Sequence, residues 1–117
     1  MIERRKYPRL DFNVVAEYEK VSPEKNAPAS AQSKNIGAGG ICIVSLDKIE
    51  VGDTLNLTFS IPSINEWINA KGVVVWVEEY QVGSTETSKA YDAGIEFTNI
   101  QDFDRDKISK FVRSGIE

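Results

Sequence analysis

The strongest constraint on the fold is one run of strict alternation, in which Leu55, Leu57, Phe59 and Ile61 alternate with Thr54, Asn56, Thr58 and Ser60. A period of two puts one set on each face of an extended chain, so this segment reads as a β-strand with one side in a core. Pro62 follows and ends the strand, because it has no N–H to give to a ladder. The same period recurs elsewhere. Phe12, Val14, Ala16 and Tyr18 alternate with Asn13, Val15, Glu17 and Glu19, and Ala93, Ile95 and Phe97 alternate with Gly94, Glu96 and Thr98. Ile41 to Leu46 is an apolar run of strand-like composition. Trp67 to Glu78 holds a further strand, with Val73, Val75 and Val77 on one face and Val74 and Trp76 on the other, which implies that its second face is partly covered.

Between these segments stand turns and loops rather than helices. Val21 to Ser33 is polar, carries Pro23 and Pro28, and reads as a long connection that includes the start of a strand. Asn35 to Gly40 reads as a glycine-rich turn, Val51-Gly52-Asp53 as a second turn, and Gln81 to Lys89 as a polar loop. Helical spacing appears at the end, where Ile108, Phe111 and Val112 stand at i, i+3 and i+4. Asp104 is the expected N-cap, with Phe103 and Ile108 as a hydrophobic staple around it. The expectation is a mainly β chain of five or six antiparallel strands with one C-terminal helix. Closing such a sheet into a barrel removes its exposed edges.

Composition narrows the chemistry. The 117 residues suffice for one domain, and 41% hydrophobic with 27% charged residues is an ordinary globular balance. Cys42 is the single cysteine, so no disulfide can form within the chain. Histidine is absent, which excludes Ser-His-Asp and Cys-His sites and any histidine-containing zinc site built from this chain alone. No paired carboxylates stand at a catalytic spacing, and Asp102, Asp104 and Asp106 fit the start of a helix better than a metal site. Neither a catalytic residue nor a metal site is therefore expected. A net charge of -4 does not suit a nucleic-acid polymer or an anionic membrane as partner. No run approaches the ~18 apolar residues of a membrane span, and Met1-Ile2-Glu3-Arg4-Arg5 has no apolar signal-peptide core. The expected compartment is the cytoplasm.

Two places could carry ligand chemistry. Arg4, Arg5, Lys6 and Arg9 cluster at the start of an otherwise acidic chain. An arginine fork grips a phosphate with two hydrogen bonds or stacks on a base. Pro8 keeps Tyr7 out of the helical region, so Arg5 and Arg9 do not share a helix face. The same cluster also reads as a solvated basic terminus. At the second place, Gly37, Gly39 and Gly40 let a backbone approach a ligand, or simply make a turn that needs positive φ. A dinucleotide-fold reading of Gly37-Ala38-Gly39 fails, because Cys42 stands where the third glycine belongs. Trp76 reads either as a ligand-lining ring or as a half-buried packing residue. Cys42 reads as a small core residue.

Taken together, these residues resemble the PilZ family. Arg5 and Arg9 match its R-x-x-x-R motif, with Arg4 as the frequent extra arginine, and Asn35 and Gly40 match the ends of its [D/N]-x-S-x-x-G motif. Gly72-Val73-Val74-Val75-Trp76 is similar to the family's G-x-V-x-W strand, and Tyr91-Asp92-Ala93-Gly94-Ile95-Glu96-Phe97 to its final G-[VI]-x-F strand. The resemblance covers essentially the whole chain. It implies a small closed six-stranded antiparallel β-barrel of split-barrel type with one C-terminal α-helix. The expected layout is a basic arm over 1–11, the barrel over 12–100 and the helix over 101–117, all one domain. It further implies a receptor for the second messenger cyclic di-GMP, with no other cofactor, that signals to a downstream protein partner in processes such as motility and biofilm formation. Arg4, Arg5, Arg9, Asn35, Gly37, Gly39, Gly40 and Trp76 would form the site. One departure stands out: Gly37 replaces the motif serine. One lost hydrogen bond of that kind costs about 0.5–1.5 kcal/mol, up to tenfold in affinity. The alternative that the departure favours is an adaptor that has lost the ligand and acts through protein contacts in pilus or motility machinery.

Overall fold

The alternating segments form strands whose apolar set faces a shared interior. The computed structural model describes residues 9–11, 15–21, 29–61, 66–83 and 88–116. Its elements are β1 (Arg9–Asp11), β2 (Val15–Lys20), β3 (Ala29–Gly37), β4 (Gly40–Ser45), β5 (Thr54–Ile61), β6 (Glu66–Gln81), β7 (Lys89–Asn99) and α1 (Asp102–Ile116). β2 pairs with β5, β5 with β6, β6 with β7, β7 with β4, β4 with β3 and β3 with β2, all antiparallel. The ring closes, giving a six-stranded barrel. β1 adds no seventh stave: it pairs with Asn35–Gly37 of β3, beyond the stretch Ala29–Gln32 that pairs with β2. β1 and β2 thus lie end to end along one edge of β3.

Inside the ring, Ile36, Ile41, Ile43, Leu55, Leu57, Phe59, Ile61, Ile68 and Ile95 are almost wholly buried. The Phe59 and Phe97 rings stack with centroids 6.1 Å apart and planes 7° from parallel. Tyr18 brings a polar tip into this interior and shares a 2.6 Å hydrogen bond with the buried Ser45 hydroxyl. Burial pushes the Tyr18 phenol above its ordinary value, an effect that the Ser45 hydrogen bond partly offsets. The helix packs against β3 and β1 and buries Ile108, Phe111 and Val112. This is the face that its i, i+3, i+4 spacing defines.

Four sequence-based expectations shift. First, the polar connection is shorter than its composition suggests, because β3 already begins at Ala29. Alanine and serine at these positions pair through backbone groups, which need no apolar side chain. Second, Asn35, Ile36 and Gly37 belong to β3, so the turn shrinks to Ala38 and Gly39. Positive φ falls at Gly52 (95°) and Gly83 (74°) among the described residues, not in this turn. Third, β6 runs from Glu66 to Gln81, longer than the segment from Trp67 to Glu78, and a register shift between Val74 and Trp76 puts these two on opposite faces, Val74 in the core and Trp76 outward. Fourth, α1 starts at Asp102, and the Arg105 N–H donates to the Gln101 carbonyl at 3.0 Å. Asp104 therefore sits inside the first turn, where its carboxylate still favours the helix dipole. Phe103 does not staple the helix: it is exposed, with the Lys107 ammonium 4.2 Å from its ring centre. Phe12, Val14 and Pro62 lie outside the described residues.

Candidate ligand site

The outward face of β3, β4 and β7 is set by their inward face. Ile36, Ile41, Ile43, Ala93 and Ile95 point into the core. Their alternates Asn35, Gly37, Gly40, Cys42, Asp92 and Gly94 therefore turn outward. Register aligns these residues in rows across the sheet. One row runs Asp11, Asn35, Cys42, Gly94, Trp76, from β1 through β3, β4 and β7 to β6. The next runs Arg9, Gly37, Gly40, Glu96, Val73. The middle of this patch holds Gly37, Gly40, Gly94 and the small Cys42. It is a floor almost without side chains.

Close approach, rather than backbone angle, demands glycine at two of these places. A Cβ on Gly40 would run into the Ile95 carbonyl oxygen. A Cβ on Gly94 would run into the Trp76 indole, which lies across that glycine and remains 42% exposed. The Phe97 N–H donates to the Gly39 carbonyl at 2.9 Å and pins the hairpin tip to β7. Cys42 is buried, as expected of a small apolar side chain, but it belongs to the outward row and not to the barrel core.

Two acceptors border the floor without donors. The side-chain oxygen Oδ1 of Asn35 and Oδ1 of Asp92 are both closed off from solvent, with no hydrogen-bond partner among the described residues. Asp92 Oδ2 accepts a 2.8 Å bond from the Lys34 ammonium. Lys34 occupies a bulge in β3, where register passes from Ser33 opposite Ile43 to Asn35 opposite Cys42. From there its side chain reaches across β4 to β7. The hydrogen bond to Asp92 holds the Lys34 ammonium above its usual value. Partial desolvation, followed by the neighbouring Asp92 carboxylate, raises the Tyr80 phenol likewise. Lys34, Asp92 and Tyr80 thus form a polar rim from β3 to β6 along one side of the floor.

Of the residues singled out in the sequence, Asn35, Gly37, Gly39, Gly40 and Trp76 come together on or beside this floor. The backbone of Arg9 stands opposite Gly37. Arg4 and Arg5 lie outside the described residues. The rim of Lys34, Asp92 and Tyr80 was not anticipated. The alternation of Asp92 and Gly94 with Ala93 and Ile95 already marks the outward set of β7, but the bulge that frees Lys34 leaves no trace in composition. On the far side of the hairpin tip a cleft opens between Ala38 and Asp106, Ser109, Val112 and Arg113 of α1. It carries no comparable floor. Among the described residues there is no cluster of metal-ligating side chains and no helix long and apolar enough to cross a membrane.

Comparison with solved structures finds the same fold at low identity. MotI/DgrA, an inhibitor of motility from Bacillus subtilis, matches with a TM-score of 0.76 and 24% identity over 97% of this chain and 51% of its own. The PilZ domain of YcgR from Escherichia coli, solved with c-di-GMP, matches with a TM-score of 0.73 and 11% identity over 97% of this chain and 92% of its own. The MrkH-c-di-GMP complex from K. pneumonia matches with a TM-score of 0.73 and 17% identity over 98% of this chain and 53% of its own. The chain thus spans about half the length of MotI and MrkH. A search of curated proteins finds no significant match. The family model of the PilZ domain matches residues 3–114, through the basic cluster, all seven strands and most of the helix. This match over nearly all of the sequence makes the chain a member of the PilZ domain family.

Proposed function

We propose that this domain binds cyclic di-GMP on the glycine floor and passes the signal to a protein partner. The observation that carries the reading is the register of β1 on β3, which sets Arg9 opposite Gly37 and Asp11 opposite Asn35. The end of the arginine motif and the glycine motif, far apart in sequence, are adjacent there. Family membership and the c-di-GMP named for the YcgR and MrkH structures support the choice of ligand. In this reading Arg5 and Arg9 hold phosphates or stack on guanine faces, and Arg4 adds charge. Asn35 reads a guanine edge through its buried oxygen. Gly37, Gly39 and Gly40 admit the ligand to the backbone, and Trp76 offers an exposed ring at the floor's edge. A ligand bridging β1 and the barrel face makes a composite surface that a partner can recognise.

The test is calorimetric titration with cyclic di-GMP, beside an Arg5→Ala/Arg9→Ala control. The expected result is affinity near micromolar, about -8 kcal/mol, that is lost in the control. Absence of heat from folded wild-type protein would overturn the reading. Gly37 supports a second one, since the motif hydroxyl is missing: an adaptor of motility or pilus machinery that works without the ligand. It would keep its partner contacts when both arginines are replaced.

A further inference from the structure

Asp92 belongs to neither motif, yet it has the features of a site residue. Its side chain is 9% exposed, and Lys34 holds one carboxylate oxygen at 2.8 Å. The other oxygen, Oδ1, is buried without a partner among the described residues. A buried carboxylate oxygen without a donor is costly, and native proteins rarely keep one without a use. Asp92 stands two residues from Gly94 on the same outward face and opposite Val44 of β4. It therefore borders the floor from the side opposite Glu96. Carboxylate oxygens accept and an ammonium donates, so the Asp92–Lys34 pair presents acceptors beside a donor. The guanine edge is the complement: N–H donors at N1 and the 2-amino group beside the O6 acceptor. Adenine has no 2-amino group and places an acceptor at N1, facing the carboxylate. Lys34 also cancels the carboxylate charge, which lets Asp92 face a ligand that carries phosphates.

We propose that Asp92, together with Lys34, is a second guanine-reading unit of the site. Oδ1 accepts from the 2-amino group, Oδ2 faces N1–H, and Lys34 donates to O6. This rests on the cyclic di-GMP reading above and assigns the second base of that ligand a place on the rim. Tyr80 is 40% exposed and the Lys34 side chain 52%. Both side chains are exposed enough to adjust to a ligand without disturbing the core.

The test titrates wild type, Asp92→Asn and Asp92→Ala with cyclic di-GMP and with its inosine counterpart, which lacks only the 2-amino groups. Thermal midpoints verify folding. Wild type is expected to prefer the guanine ligand by about tenfold or more. Asp92→Ala should lose about tenfold for cyclic di-GMP and far less for the inosine ligand, so that the preference narrows, with Asp92→Asn between the two. Unchanged binding, or an equal loss for both ligands in folded variants, overturns the inference and leaves the cyclic di-GMP reading intact. Wild-type protein that binds neither ligand defeats the cyclic di-GMP reading itself, and the role of Asp92 with it.

Discussion

The two faces of β4 and β7 are built on opposite principles. Inward, Ile41, Ile43, Ala93 and Ile95 fill the barrel and are wholly buried. Outward, the same strands carry Gly40, Cys42, Gly94 and Asp92. The inner face gains stability from volume and close packing. The outer face gives that gain up, since glycine in a strand is a poor choice for stability alone. Under the proposed function it obtains a backbone that a flat ligand can approach, bordered by Asn35, Trp76 and the Lys34–Asp92 pair. One face holds the fold, and the other is the one on which the proposed function places the ligand.

The largest effect should come from the inner face. Phe59→Ala removes a fully buried ring stacked on Phe97 and should cost about 3–5 kcal/mol by chemical denaturation. Gly40→Ala tests where the division between faces breaks down. The obstacle to its Cβ is the Ile95 backbone carbonyl, which cannot rotate aside. A stability loss of about 1–3 kcal/mol is expected, together with weakened ligand binding. Gly94→Ala should separate the two roles. Its obstacle is the Trp76 side chain, which has solvent to swing into. The stability cost should stay near 1 kcal/mol, the price of one off-rotamer side chain, while affinity for cyclic di-GMP falls by roughly tenfold as the Trp76 ring leaves its place. Equal effects on stability and binding would show that the outer glycines serve the fold alone.

The smallest effect is a pH dependence shared by both faces. Tyr18 inside the barrel and Lys34 and Tyr80 on the outer rim all hold their protons above their ordinary values of 10.0, 10.5 and 10.0. The folded chain then binds more protons than the unfolded chain once pH passes those values. The stability they contribute is fully present at lower pH and is lost as pH rises through the raised values. Denaturation midpoints should fall above pH 10. Tyr18→Phe should flatten part of that slope, and Lys34→Met should flatten another.

Much of this arrangement was legible in the sequence. The alternation of Leu55, Leu57, Phe59 and Ile61 predicts their burial, and Ile108, Phe111 and Val112 predict the buried stripe of α1. Periodicity reports which side chains avoid water, so it works best where one face is apolar. It says little about β3, whose Ala29 to Lys34 stretch is small and polar and is defined by its partners. It also misplaces the helix start, because Asp104 has the chemistry of a cap while the Gln101 carbonyl closes the first turn. The closed ring follows from resemblance to a family and not from spacing, and so does the choice of the proposed ligand. The rim was illegible for a physical reason: a bulge at Lys34 redirects one side chain across a neighbouring strand, and no local pattern encodes that reach.

The two tryptophans offer the most direct test of the central claim. Both lie on β6, nine residues apart, about 30 Å along an extended strand. Trp76 borders the glycine floor, and Trp67 is exposed far from it. Titrating nitrogen-15-labelled protein with cyclic di-GMP and following the two indole N–H signals should move Trp76 in proportion to saturation and leave Trp67 in place. Movement of Trp67 alone, or of neither signal at saturating ligand, would contradict the assignment of the outer floor as the binding face.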